Sequence, residues 1–215
     1  MRIIAGAKRG MKLFSPKGFE SRPIPDRVKE SLFSVLYSSC VLGDASCEKE
    51  KTQYAIRDTR YEMVADLFCG VGSLGLEALS RGAKFVTFVE KDPKVISTLK
   101  KNIEKAGFLK ESKVVRADAF KAGAVGNEQK CDLIFIDPPY SATRETKEGS
   151  PLSKLLALLS EQSSLDGIVV VRTERRTELL EQYGRFEVIE RRQWGTMAVT
   201  IYRKVSLMGL QRSSK

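Results

Sequence analysis

The chain has 215 residues, enough for one well-buried core with a small appendage and too few for two domains of ordinary size. Its 37 lysine and arginine residues outnumber its 27 acidic ones, and the net charge of +10 suits a polyanionic partner or a well-solvated surface. It has no histidine, which excludes Ser-His-Asp and Cys-His nucleophiles and histidine-bound zinc deaminases. No apolar run could span a membrane and the four cysteines lack metal-type spacing, which predicts a cytoplasmic protein with free thiols and no metal.

Residues 1–40 are predicted to form a basic appendage and a first helix. The first 30 residues carry eight basic side chains against three acidic ones, and their glycines and prolines favour a hairpin and loop. Asp26 is in position to cap the helix, whose apolar face contains Val28 and Leu32. A basic segment next to a pocket would bind phosphates without reading bases. Its candidate contacts are Arg2, Lys8, Arg9, Lys12, Arg22 and Arg27, joined by Arg144 from the loop over 141–151.

A polar connection over 41–62 separates this appendage from a domain predicted over 63–204, and residues 205–215 are predicted to form a disordered tail. The domain alternates apolar strands with helices, which is the pattern of a doubly wound, mostly parallel α/β sheet. Strands are predicted near 64–68, 85–89, 113–116, 132–136 and 167–171, and helices near 74–81, 93–106 and 151–162. Segments 186–194 and 197–202 flank Gly195-Thr196 and predict an antiparallel hairpin that closes the sheet.

The first strand leads into a glycine-rich turn over 66–75 that opens a helix and is typical of nucleotide binding. The second strand ends in Glu90, whose carboxylate is placed to bind both hydroxyls of a ribose. These glycines and this acid also satisfy the dinucleotide pattern, so a nicotinamide-dependent oxidoreductase stays open at this point. After the third strand, Asp118 could accept from an adenine amine or cap a helix, and Phe120 could pack beside the ring or in the core.

Asp137-Pro138-Pro139-Tyr140 directly follows the apolar run 133–136, at a strand end where ligands bind in open α/β sheets. The two prolines fix φ twice and remove two backbone donors, so the Pro138 carbonyl is expected to project outward. Together with Asp137 it offers two acceptors to the two hydrogens of an exocyclic amine, and Tyr140 can stack on the ring that carries this amine. These four residues are the candidate catalytic group. The structural alternative is a turn whose aspartate caps the next helix.

The glycine turn, the acid, Asp-Ala-Phe and Asp-Pro-Pro-Tyr follow four successive strands, and this order resembles that of S-adenosylmethionine-dependent N-methyltransferases. Over nearly its whole length the chain resembles the RsmD family of small-subunit ribosomal RNA guanine-N2 methyltransferases, and segments 2–6, 22–33 and 66–82 carry the resemblance. The resemblance implies a Rossmann-like class I fold, S-adenosylmethionine as cofactor, and methyl transfer to the N2 of a guanine in 16S ribosomal RNA. The cofactor-binding residues that it implies are Asp66, Phe68, Gly70, Gly72, Glu90, Asp118, Ala119 and Phe120.

The partner implied by the resemblance is small-subunit ribosomal RNA, free or within an assembling subunit with ribosomal proteins, and the basic contacts of the appendage are then RNA-binding residues. The protein is expected to act as a monomer. An adenine N6-methyltransferase acting on DNA or RNA stays open, because both amines present the same two hydrogens. The hypothesis of a nicotinamide-dependent oxidoreductase gives no reason for the Asp-Pro-Pro-Tyr segment at 137–140. A catalytically silent RNA-binding protein would have no need of Asp137 and Glu90.

Overall fold

The computed structural model describes residues 1–16, 24–37, 61–124 and 129–206. Its strands are β1 (Met63–Leu67), β2 (Phe85–Glu90), β3 (Ser112–Arg116), β4 (Cys131–Ile136), β5 (Ser163–Glu174), β6 (Gln182–Tyr183), β7 (Phe186–Trp194) and β8 (Met197–Lys204). Its helices are α1 (Asp26–Leu36), α2 (Ser73–Ser80), α3 (Pro93–Ala106), α4 (Ala119–Ala122) and α5 (Pro151–Gln162). Within the described residues, the eight strands form one sheet in the order β3-β2-β1-β4-β5-β8-β7-β6.

The sheet is parallel from β3 to β5 and antiparallel from β5 to β6. This arrangement confirms the predicted mostly parallel sheet with an antiparallel hairpin at its carboxyl-terminal end. The short elements β6 and α4 were not predicted, because two strand residues and a single helical turn leave no periodic pattern in the sequence. Strand β5 begins at Ser163, four residues before the predicted start, directly after α5.

Helices cover both faces of the sheet, and the central strands alternate between two apolar cores. Leu133 and Phe135 of β4 pack on the side of α1 and α2, whereas Ile134 and Ile136 pack on the side of α5. All four are at most 1% exposed. Because successive side chains of a strand point to opposite faces, a strand covered on both sides reads as the continuous apolar run seen in the sequence.

Helix ends follow the local sequence, with one exception. Asp92 caps α3 and accepts from the Lys94 N–H at 2.8 Å, and Pro93 occupies the first helical position. The predicted cap at Asp26 is wrong, because α1 begins at Asp26 itself and Pro25 precedes it. The Asp26 carboxylate instead accepts from Arg2 Nε at 2.9 Å.

Residues 1–16 form an N-terminal hairpin that belongs to the main core. An antiparallel bridge joins Arg2 to Lys12, and the Ile3 side chain is completely buried in the core on the α1 and α2 side. The hairpin is fastened to α2 by the buried carboxylate of Glu77, which accepts from the backbone N–H groups of Ile4 and Ala5 at 2.7 and 3.0 Å. The predicted hairpin and helix appendage is thus present and is packed against the sheet's helical layer.

Most of the predicted connection over 41–62 and of the tail over 205–215 lies outside the described residues. Where β1 begins, the Glu62 and Met63 N–H groups donate to Asp132 at 3.1 and 3.0 Å. None of the helices in the described part of the chain is long and apolar enough to cross a membrane.

Candidate active site

The carboxyl ends of the central strands border an open cavity of about 550 Å³. Strand β1 lies between β2 and β4. The chain runs from β1 outward to β2 and β3 and then crosses back to β4 on the other side of β1. Open α/β sheets bind ligands where the strand order reverses in this way. The predicted site residues that line the cavity are Asp66, Phe68, Gly70, Glu90, Ala119, Asp137, Pro138, Pro139 and Tyr140. The predicted residues Gly72, Asp118 and Phe120 do not line it.

The glycine turn uses left-handed backbone at three positions. Phe68, Gly70 and Gly72 have φ values of 57°, 56° and 86°. A Cβ atom at Gly72 would lie 2.5 Å from the Leu99 side chain, so this glycine lets the turn pack tightly against α3. A Cβ atom at Gly70 would meet nothing within 4 Å, and Gly70 therefore leaves the cavity wall open for the close approach of a ligand.

Two carboxylates stand at the ends of β1 and β2. Asp66 is 1% exposed and its Oδ2 accepts from the Gly75 N–H at 2.8 Å. Burial raises the pKa of Asp66 well above its usual range, and the charges of Asp137 and Glu90 raise it further. The Glu90 carboxylate is fixed by the N–H groups of Gly70, Lys91 and Asp92 at 3.1, 2.8 and 3.0 Å.

The end of β3 contributes small apolar side chains to the cavity. Ala117 and Ala119 line it, whereas the exposed Asp118 caps α4 and accepts from the Phe120 N–H at 3.0 Å. Phe120 packs edge-on against Phe68, with 4.8 Å between the ring centroids. Phe120 therefore supports a side chain of the cavity wall rather than forming the wall itself.

The tetrapeptide 137–140 leaves β4 and turns at once away from the sheet. Tyr140 begins a short 3₁₀ turn, Tyr140–Thr143, in which the Ala142 N–H donates to the Pro139 carbonyl at 2.8 Å. The Pro138 carbonyl accepts no hydrogen bond from the described residues. Asp137 is not a helix cap, since the structure has its carboxylate paired with the Arg172 guanidinium.

Arg172 is a residue of the site that the sequence reasoning missed. It lies in β5 one position past Val171, which is the register partner of Ile136, and Asp137 directly follows Ile136, so Arg172 and Asp137 stand side by side at the cavity. Burial raises the pKa of Asp137, and the Arg172 charge and hydrogen bond oppose this effect. The available signal was a cation directly after the apolar run of a strand that the topology places next to β4.

The predicted RNA-binding residues lie on exposed parts of the N-terminal hairpin, α1 and the loop after Tyr140. Arg9, Lys12, Arg27 and Arg144 are exposed, Lys8 is half-buried, and Arg2 is exposed and paired with Asp26. Arg22 lies outside the described residues. Met1 and Ile24, which were not predicted, line the cavity and bring the amino-terminal part of the chain to its rim.

Within the described ranges, no group of three or more cysteine, aspartate or glutamate side chains could hold a metal ion. The chemistry of the cavity rests instead on carboxylates, open backbone at Gly70 and the cation of Arg172. Acids at two adjacent strand ends suit ribose hydroxyls and an ammonium group, and an apolar wall suits a purine ring.

This sheet order and this cavity define a Rossmann-like methyltransferase. The family model described as "Conserved hypothetical protein 95" matches residues 1–203. Bacillus subtilis YlbH is 35% identical over 95% of this chain and 99% of its own length. "Ribosomal RNA small subunit methyltransferase D" of Haemophilus influenzae is 33% identical over 84% of this chain and 82% of its own length.

The solved structure of yhhF from Escherichia coli matches with a TM-score of 0.71 and 27% identity, covering 95% of this chain and 98% of that one. Because the model of the family "Conserved hypothetical protein 95" matches residues 1–203, the chain belongs to that family. Its predicted membership of the RsmD family is confirmed.

Proposed function

We propose that this protein transfers a methyl group from S-adenosylmethionine to the exocyclic N2 of a guanine in small-subunit (16S) ribosomal RNA. One observation carries the proposal: the amine-binding segment 137–140 and the nucleoside-binding groups Gly70 and Glu90 line the same cavity. A cofactor site and an acceptor for a planar amine are what an N-methyltransferase must bring together. The family membership supports methyl transfer, and the basic hairpin supports an RNA substrate.

The cavity fits S-adenosylmethionine. Glu90 is held by three backbone N–H groups and retains an acceptor site for a ribose hydroxyl, because two carboxylate oxygens offer about four acceptor sites. The open space at Gly70 and the buried carboxylate of Asp66 suit the methionine end with its ammonium group. Phe68 and Ala119 supply apolar wall for the adenine. When bound, the cofactor supplies a methyl group on a sulfonium, and the electrons of the broken carbon–sulfur bond stay on sulfur.

Asp137 and the Pro138 carbonyl act on the amine of the target base. The lone pair of this amine is delocalised into its ring, and acceptance of both hydrogens favours a pyramidal nitrogen whose lone pair can attack. The same two acceptors stabilise the positive charge that develops on nitrogen as the new carbon–nitrogen bond forms. The nitrogen then loses one proton, and Asp137 is the carboxylate in reach to accept it.

The target base must be unpaired or flipped out to reach this cavity, because a paired amine is covered by its partner strand. Tyr140 can replace the stacking that the base loses. The cations Arg9, Lys12 and Arg144 are exposed and can hold phosphates of the RNA.

The test is transfer of labelled methyl from S-adenosylmethionine to small-subunit ribosomal RNA, offered naked and in partly assembled subunits from cells that lack this protein. Label in N2-methylguanosine, abolished by Asp137→Ala while cofactor binding survives, is the expected result. The preferred form of the RNA would identify the assembly stage. Label in N6-methyladenosine would overturn the assignment of the base, and turnover retained by Asp137→Ala would overturn the role of Asp137.

A further inference from the structure

Arg172 is a cation at a place where a cation is, by itself, unfavourable. It lines the cavity, it is 8% exposed, and the proposed reaction brings a sulfonium and a developing ammonium to the same cavity. Like charges in a partly dehydrated site repel one another more strongly than in water. A benefit of Arg172 to the reaction can come from its effect on a neighbouring group, and one group that it contacts at the cavity is Asp137.

We infer that Arg172 is a positioning residue that holds the Asp137 carboxylate ionised and correctly oriented to accept from the target amine. This inference rests on the proposed function. Arg172 Nε donates to Asp137 Oδ1, which restrains this carboxylate oxygen and leaves acceptor capacity for the amine hydrogen. Arg172 lies in β5 and Asp137 directly follows the adjacent parallel strand β4, each one position past the Ile136–Val171 pair, so the sheet backbone sets their separation.

Ionisation of Asp137 matters because a protonated carboxyl presents an O–H donor to an amine that also donates. Burial raises the pKa of Asp137 and Arg172 lowers it. The other charged side chains that line the cavity are the acids Asp66, Glu90 and Asp92 and the cation Lys91, and Arg172 is the cation paired with Asp137. Arg172 is thus the cation that keeps Asp137 in its accepting form against the effect of its burial.

The pH profile of kcat/KM separates this role from a merely structural one. Without the guanidinium the pKa of Asp137 rises, so Arg172→Gln should move the acidic limb of the profile to higher pH by about one to three units. Arg172→Lys keeps the charge without the planar fork and should leave the limb near its wild-type position with a lower maximum. An unmoved limb in active Arg172→Gln would overturn the inference. If Arg172→Gln does not fold, Arg172→Lys carries the test. An acidic limb displaced by about one to three units in Arg172→Lys would then overturn the inference.

A double-mutant cycle with Asp137→Asn gives a readout that does not depend on turnover. Each single variant, Arg172→Gln or Asp137→Asn, leaves one largely buried charge unpaired, whereas the double variant is neutral and keeps an amide oxygen as acceptor. The double variant should therefore melt at a higher temperature than either single variant. Additive losses in melting temperature would contradict the inference.

Because the inference assigns Arg172 to Asp137, cofactor binding measured by equilibrium dialysis should change by no more than about twofold in Arg172→Gln. A tenfold loss of affinity would mean that Arg172 serves the cofactor site instead. Failure of the proposed function and failure of this inference would give different results. A wild-type product other than N2-methylguanosine would overturn the base assignment and leave the pH test intact, since any amine needs an ionised Asp137.

Discussion

Two buried ion pairs, one at the cavity and one inside the protein, differ in how many donors bind the carboxylate. At the cavity, the Asp137 carboxylate pairs with Arg172 and, in the described part of the chain, with no second side chain. Inside the protein, the Glu77 carboxylate accepts from two backbone N–H groups and from Arg81 at 2.8 Å, and it lies 3.4 Å from Lys29 Nζ. Four donors use all the acceptor sites of Glu77, whereas Asp137 keeps some for a ligand. A filled carboxylate holds structure and a partly filled one can act on substrate.

The pair at Glu77 also connects three segments of the chain. Lys29 of α1 is fully buried and donates to the Arg2 carbonyl at 2.6 Å and to Ser73 Oγ at 3.2 Å, where α2 begins. Burial lowers the pKa of Lys29, and the charge of Glu77 opposes this effect. The N-terminal hairpin, α1 and the helix that follows the glycine turn therefore share one buried charge cluster.

The largest expected effect is the loss of stability in Glu77→Ala. The variant leaves Lys29 as an uncompensated buried charge, and we expect a loss of about 3–5 kcal/mol in the free energy of unfolding by urea. Asp137→Ala is the matched variant at the cavity. It leaves one cation, 10% exposed, without its carboxylate, whereas Glu77→Ala leaves two cations and two backbone N–H groups without theirs, so Asp137→Ala should lose methyl transfer with a smaller loss of stability. Equal stability losses in the two variants would remove the distinction between the pairs.

The attachment of the hairpin to α2 can be weakened at Gly6 without touching a charge. A Cβ atom at Gly6 would lie 1.8 Å from the Ser80 carbonyl oxygen, and φ is +78°, so Gly6→Ala should destabilise the protein by about 3 kcal/mol. Gly10→Ala is the control, because φ is +84° and nothing lies within 4 Å of its Cβ position. It should cost about 1 kcal/mol by the same urea titration. Similar losses at both positions would mean that close approach to α2 does not hold the hairpin.

Asp66 is a buried carboxylate whose titration should affect stability, and it accepts a hydrogen bond from the Gly75 N–H. Because its pKa is raised, the folded state binds this proton more tightly than the unfolded state, and the stability so gained at low pH is lost as pH rises through the raised pKa. Asp66→Asn removes this titration and keeps an acceptor. It should melt above the wild type at pH 8, and the difference should shrink as the pH falls toward about 4. A constant difference across this range would contradict the assigned titration.

The smallest expected effect concerns the outer surface of the hairpin. Arg9 is exposed there, and Arg9→Gln should weaken RNA binding several-fold and reduce the slope of log K against log salt by about one unit. Lys154→Gln on α5 removes an exposed cation from the other helical layer and should leave the slope unchanged. Filter binding at several salt concentrations measures both. A reduced slope only in the α5 variant would place the RNA on the opposite face.

Local patterns were enough to predict the sheet and the strand-end motif. Strand β4 is a continuous apolar run because helices cover it on both faces, and the tetrapeptide after it needs no distant contact to take its shape. The capping prediction at Asp26 failed because α1 begins at Asp26 itself, and its carboxylate binds Arg2, 24 residues away. A cap depends on local sequence only where no distant partner competes for the side chain.

Arg172 and Glu77 could not be assigned roles from sequence for a related reason. The contact of Arg172 with Asp137 depends on which strands are neighbours and in which register, and these follow from the whole sheet. Glu77 stands in an apolar helical run, which indicates burial, but its donors Ile4 and Ala5 are more than 70 residues away. Residues whose partners come from distant segments are the ones that sequence patterns leave out.

The attachment of the N-terminal hairpin has a consequence for the order of folding. Its bonds to Glu77, Asn102 and Lys105 join residues 72 to 93 positions apart, and contacts of such separation form only after long loops have closed. The hairpin is synthesised first, yet it has nothing to dock on until α2 and α3 exist. We therefore expect it to order late in refolding, so that a chain presents an ordered basic hairpin to RNA only once the helix behind its glycine turn has formed.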